Sequence, residues 1–199
     1  MFQEHGVELP VAIWGDTIGR ASGSFDPLPL LEERIGQRLD RQVIRAQRHA
    51  RHRRLVEQQM LLPGVEQYIQ RAQELGLSLA VASSGKREWV EGNLERLGIR
   101  AHWACIHCCE DVAEAKPDPA LYLLACRSLG VRPGEAIALE DSANGVLAAK
   151  RAGLFCVAVP NPLTEHLDLS LADIRVSSLA DVPLDALIAM AEGRINIPS

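Results

Sequence analysis

Residues 136–159 read Ala-Ile-Ala-Leu-Glu-Asp-Ser-Ala-Asn-Gly-Val-Leu-Ala-Ala-Lys-Arg-Ala-Gly-Leu-Phe-Cys-Val-Ala-Val. The short apolar run Ala136 to Leu139 predicts a buried strand. Ala143 to Ala152 predicts a helix stopped by Gly153, and Phe155 to Val159 predicts a second strand. Strand, helix, glycine and strand in that order form the unit of a parallel sheet.

The same rhythm repeats from Pro63 onward. Val65, Tyr68, Ile69, Ala72 and Leu75 recur at helical spacing and end at Gly76, after which Leu77 to Ala82 reads as a strand. A helix from about Lys86 to Leu97 stops at Gly98, and the strand Trp103 to His107 follows. Leu121, Leu124, Ala125 and Leu129 mark a helix closed by Gly130. A weaker strand sits at Ile174 to Val176, with a helix near Leu184 to Ala191. Apolar strands alternating with helices predict an α/β fold, a Rossmann-like parallel sheet with helices on both faces and right-handed crossovers.

The first 62 residues lack this alternation. Gly15, Gly19, Gly23, Pro27 and Pro29 break up the middle, and one helix spans Asp40 to about Gln59. The expected division is a small helical cap over 1–62 and an α/β core over 63–199.

With 47% hydrophobic and 24% charged residues the chain can bury a core without staples, and its formal net charge of −5 argues against nucleic-acid or membrane-surface partners. No apolar run approaches the roughly 20 residues of a membrane span. Met1-Phe2-Gln3-Glu4-His5 lacks the basic start and apolar stretch of a signal peptide, so a cytoplasmic location is expected. Cys105, Cys108, Cys109, Cys126 and Cys156 form no paired framework. Cys105 to Cys109 resembles a metal knuckle without a second ligand pair, and a buried strand is the favoured reading. Arg41, Arg45, Arg48, Arg51, Arg53 and Arg54 make a basic helix, read first as a solvated face and second as an attractor of anionic substrate.

Ligands of open parallel sheets bind at the carboxyl ends of the strands. Ser83-Ser84-Gly85 follows one strand, before a helix N-terminus suited to phosphate. Glu140-Asp141-Ser142 follows another, and adjacent carboxylates there call for a compensating cation such as Mg²⁺. Ala115-Lys116-Pro117-Asp118-Pro119 lies between them and offers a fixed positive charge. Singly, each is as well explained by a turn, a solvated lysine or a helix cap. Their order along one sheet is the informative part.

Val81-Ala82-Ser83-Ser84, Ala115-Lys116-Pro117-Asp118-Pro119 and Leu139-Glu140-Asp141-Ser142-Ala143-Asn144-Gly145 resemble the second, third and fourth motifs of haloacid dehalogenase-type hydrolases. The β-phosphoglucomutase-like and phosphoglycolate-phosphatase-like branch is the most similar. The resemblance implies that Ser83 bonds the transferring phosphoryl group with the Ser84 amide nearby. It implies that Lys116 neutralises the nucleophile and phosphoryl oxygens, and that Asp141, with Glu140 beside it, holds Mg²⁺. The implied substrate is a small phosphorylated metabolite such as a sugar phosphate, handled by a monomer or weak dimer.

The family's first motif, Asp-x-Asp-Gly-Thr on a central first strand, supplies the nucleophile and the general acid. No Asp-x-Asp occurs in these 199 residues. Trp14-Gly15-Asp16-Thr17 shares letters with it but falls in the cap, so Asp16 is read as a loop residue. The expectation is a sequence that begins late, with the first core strand absent. A phosphomutase of the same family, or a truncated, catalytically dead phosphate- or partner-binding protein, are the alternatives.

Overall fold

The computed structural model describes residues 1–9, 13, 17–20 and 25–193; Trp14, Gly15, Asp16 and Gly23 lie outside them. Helix α1 (Leu28–Ile35) follows Pro27 and buries Leu28 and Leu31. Helix α2 (Arg41–Glu57) starts where the Asp40 carboxylate accepts from the Gln42 and Val43 amides, and it buries no residue. The arginine-rich helix is therefore solvated along its length, as its thin apolar stripe requires.

The core consists of α3 (Val65–Glu74), β1 (Ala80–Ala82), α4 (Arg87–Arg96), β2 (Cys105–His107), α5 (Ala120–Leu129), β3 (Ile137–Glu140), α6 (Ala143–Ala152), β4 (Phe155–Ala158), β5 (Ile174–Arg175) and α7 (Leu184–Ala191). Every strand pairing is parallel. Side-chain alternation covers both faces. On β4, Cys156 and Ala158 enter a cluster with Ala138, Tyr122, Val146 and Ala149, while Val157 enters another with Tyr68, Ile174 and Leu187.

Two strands start later than the apolar runs imply. The Leu77 amide donates to the Ala72 carbonyl (2.8 Å) to close α3, which takes it out of the sheet. A 3-10 turn at Arg100–His102 likewise holds back β2. At the other boundary, β3 runs one residue further, and Glu140 lies on the strand opposite Ala158.

Among the described residues the sheet is divided. β1 pairs only with β2, and β3, β4 and β5 form a separate three-stranded sheet. Among the described residues, β1 and β3 each keep one edge without a strand partner, although Ala82 packs on the same cluster as Ala138. Val81 is only partly buried and Leu139 is 42% exposed, unusual for apolar residues of interior strands. Helix α5 lies against β1, β2 and α6 and ties the two parts together. Among the described residues, no helix is long and apolar enough to cross a membrane.

Candidate active site

Lys116, Tyr122, Glu140 and Ser142 form one buried network. The Lys116 ammonium and the Tyr122 hydroxyl both donate to Glu140 Oε1. Lys116 Nζ also lies 3.3 Å from the Tyr122 hydroxyl and 4.7 Å from the centre of its ring. Burial, then the Glu140 charge, pushes the Tyr122 phenol well above its usual value, so it stays a donor. Ser142 Oγ donates to Glu140 Oε2 at 3.4 Å and accepts from the Gly145 amide at 3.1 Å, which starts α6. A Cβ on Gly145 would lie 1.8 Å from Glu140 Oε2, so the close approach of helix to carboxylate requires glycine.

The two acids of the pair thus diverge. Glu140 is buried, whereas Asp141 is exposed to solvent at the strand end. β3 alternation sends Glu140 to the Ala138 side, where Lys116 compensates it. Asp141 Oδ2 accepts from Asn161 Nδ2 at 2.9 Å. The crowding protein around its inner atoms, then the Glu140 charge, raises the Asp141 carboxyl above its ordinary range, although its outer face is wet.

Ser83 and Ser84 stand on the other sheet. The Ser83 amide donates to the His107 carbonyl (2.9 Å), and Ser83 Oγ accepts from Gly85 N (3.1 Å). The Ser84 hydroxyl is buried and has no hydrogen-bond partner among the described residues. The loop is clamped from β2. Cys109 N donates to the Gly85 carbonyl (3.2 Å), the Arg87 amide donates to Glu110, and Arg87 Nη1 donates to the Ile106 carbonyl (3.2 Å). Arg87 also donates to Asp111, which accepts from the Cys108 amide at 2.8 Å. No hydrogen bond or ion pair joins Ser83 or Ser84 to the Lys116 network among the described residues. The structure therefore assembles the lysine–glutamate half of the expected site and leaves the serines across the divide.

The segment 17–20 rests on the first turn of α6. Asn144 Nδ2 donates to the Ile18 carbonyl (2.8 Å), and Gly19, with φ +84°, approaches so closely that a Cβ would lie 2.4 Å from Ser142 Oγ. Asn161, Tyr122 and this segment went unread in the sequence. Asn161 follows β4 at the same carboxyl end, and that position was the available signal.

No three His, Cys, Asp or Glu side chains among the described residues converge as a metal-ligand group. Mg²⁺ needs only one or two carboxylates when waters and a substrate phosphate complete its octahedron. Asp141 fits that role. A chelate by both acids does not, because Glu140 Oε1 is taken by Lys116 and Tyr122.

The parallel α/β core thus carries a lysine, a buried glutamate and an exposed aspartate near the carboxyl end of β3. The family model for haloacid dehalogenase-like hydrolases matches residues 29–159, and the chain belongs to that family. YhcW of Bacillus subtilis is 44% identical over 94% of this chain and 85% of its own length. The validoxylamine A 7'-phosphate phosphatase of Streptomyces hygroscopicus is 36% identical over 60% of this chain and 55% of its own. The crystal structure of CbbY from Rhodobacter sphaeroides in complex with phosphate superposes with a TM-score of 0.63 at 39% identity, over 65% of this chain and 59% of that one.

Proposed function

We propose that the protein is a Mg²⁺-dependent phosphatase of a small phosphorylated metabolite such as a sugar phosphate, with residues 1–62 serving as a cap over the core at 63–199. The observation that carries this reading is the divergence of the acid pair. Glu140 fixes the Lys116 ammonium inside the protein, and Asp141 is left at the surface as a carboxylate for a cation. Bound Mg²⁺ would supply charge stabilisation at the phosphoryl oxygens. Asp141 would hold it, Asn161 would keep the Asp141 carboxylate oriented, and Lys116 would present positive charge to the nucleophile and phosphate. Ser83 and Ser84 would donate to the phosphoryl oxygens from the opposite side. Relatives named for phosphatase activity on phosphorylated small molecules support the substrate class.

The nucleophilic aspartate lies outside these residues, in an extended segment seated between β1 and β3. Two edges without strand partners among the described residues, a shared apolar cluster and the exposed Leu139 support that placement. A phosphomutase would use the same residues.

Hydrolysis of p-nitrophenyl phosphate with Mg²⁺ tests the reading in two proteins: the 199 residues alone, and the same residues preceded by the in-frame upstream codons. The expected outcome is negligible turnover for the first and Mg²⁺-dependent turnover for the second, lost in Asp141→Asn. Turnover by the 199 residues alone, lost in Asp141→Asn, would place the nucleophile inside them. Inactivity of both would remove the phosphatase assignment.

A further inference from the structure

A lysine ammonium is a point charge on a flexible four-carbon stem, so a fixed direction must come from its neighbours. Around Lys116 that neighbour is Tyr122. Lys116 Nζ, the Tyr122 hydroxyl and Glu140 Oε1 form a closed triangle in which each atom bonds the other two. The hydroxyl accepts from Nζ at 3.3 Å and donates to the same Oε1 that receives the ammonium. The Tyr122 ring centre is 4.7 Å from Nζ, within cation–π reach. Two of the three ammonium hydrogens are thereby assigned, and among the described residues the third has no acceptor.

The segment that joins the two residues is braced. The Asp118 amide donates to the Ala115 carbonyl (3.1 Å), Asp118 Oδ1 accepts from the Ala120 amide (2.9 Å), and Arg151 Nη1 donates to the Pro117 carbonyl (3.1 Å). These bonds tie Lys116 to the first turn of α5, which carries Tyr122. Packing alone does not call for the hydroxyl. The Tyr122 ring is buried in a cluster with Cys126, Ala138 and Val146, a place that phenylalanine would also fill. What the hydroxyl adds is electrostatic. A carboxylate bonded to Lys116 alone would neutralise the ammonium and draw it inward. A hydroxyl donating to Glu140 Oε1 takes up part of the carboxylate's charge and leaves the ammonium less fully countered.

We infer that Tyr122 is a positioning residue for Lys116: it holds the ammonium with one hydrogen free for an anion and keeps Glu140 from neutralising it. This rests on the reading of Lys116 as the cation that meets phosphate. Tyr122 acts only through Lys116 and Glu140. The fold survives loss of the hydroxyl, because Glu140 Oε1 keeps Lys116 as a donor and the ring stays in place.

Calorimetric titration of inorganic phosphate at fixed Mg²⁺, into the full chain and into Tyr122→Phe, tests the assignment. The same titration is followed through the nitrogen resonance of the Lys116 ammonium. Lys86, Lys116 and Lys150 are the chain's lysines, and the buried Lys116 is told apart by slow hydrogen exchange. In wild type, phosphate is expected to shift the Lys116 resonance. In Tyr122→Phe, binding is expected to weaken about tenfold, the scale of one charge-assisted hydrogen bond, with a smaller shift at saturation. Circular dichroism verifies that the variant is folded. A purely structural hydroxyl would lower the melting temperature without moving either readout. If Tyr122→Phe matches wild type in affinity and in shift, the role of Tyr122 is overturned and the reading of Lys116 stands. If phosphate binds without shifting the Lys116 resonance, or wild type binds none, both fall.

Discussion

The Lys116 ammonium is bonded to the Glu140 carboxylate inside the protein, with the two residues 8% and 7% exposed. Tyr122 and Ser142 satisfy further oxygen valences of Glu140. Removing one partner of such a pair leaves an uncompensated buried charge, which typically costs about 3–5 kcal/mol, whereas replacing both by apolar groups costs far less. Urea denaturation is expected to show Lys116→Ala and Glu140→Ala each severely destabilised. The double variant Lys116→Met/Glu140→Leu is expected to be more stable than either. Additive losses in the double variant would mean the pair is not coupled.

Gly145 is the second point of tension. Its missing Cβ lets the first turn of α6 lie against Glu140 Oε2. Gly145→Ala is expected to displace the carboxylate and lower stability by about 1–3 kcal/mol, the range for forced overpacking. A thermal melt equal to wild type would show that the carboxylate can move away freely.

Acid sensitivity is expected to centre on the clamp behind the serine loop. The Cys108 amide, then the Arg87 guanidinium, hold the Asp111 carboxyl below its ordinary value against the opposing effect of partial burial. A lowered folded pKa gives stability that is fully present above the unfolded value of about 3.9 and is lost as pH falls through the folded value. Thermal melts of wild type and Asp111→Asn are expected to differ most above about pH 5 and to converge as pH falls below about 4. A gap that persists at the acid end would assign the difference to packing.

Much of this fold was legible in the sequence because glycines punctuate it. The bounds of α6 and α7 follow from their apolar spacing, and Gly153 closes α6 in the left-handed conformation, φ +84°. Which strands pair was not legible, because strand order is set by packing between distant segments. The orientation of Glu140 was readable in principle. Ala138 and Glu140 share a face of β3, and an inward Ala138 implies an inward Glu140. Ligand logic based on adjacent carboxylates concealed it. Asn161 was hidden for a different reason, since a lone amide in a proline-flanked loop acquires meaning only once Asp141 is found 2.9 Å away.

Asn161→Ala is expected to weaken Mg²⁺ binding several-fold by releasing the Asp141 carboxylate, in line with the roughly 10–100-fold losses seen when groups supporting a metal ligand are removed. Asn161→Gln is not expected to restore it. Mg²⁺-dependent shifts in melting temperature read this without turnover, and unchanged shifts in Asn161→Ala would leave Asn161 with a purely local role in its own turn.

The central claim is that Asp141 is the carboxylate of a Mg²⁺ site for phosphate chemistry. The most direct measurement is calorimetric titration of Mg²⁺ into wild type and Asp141→Asn, each with and without inorganic phosphate. Saturable binding strengthened by phosphate in wild type, and abolished in folded Asp141→Asn, is the predicted result. Equal Mg²⁺ binding by the two proteins would contradict it.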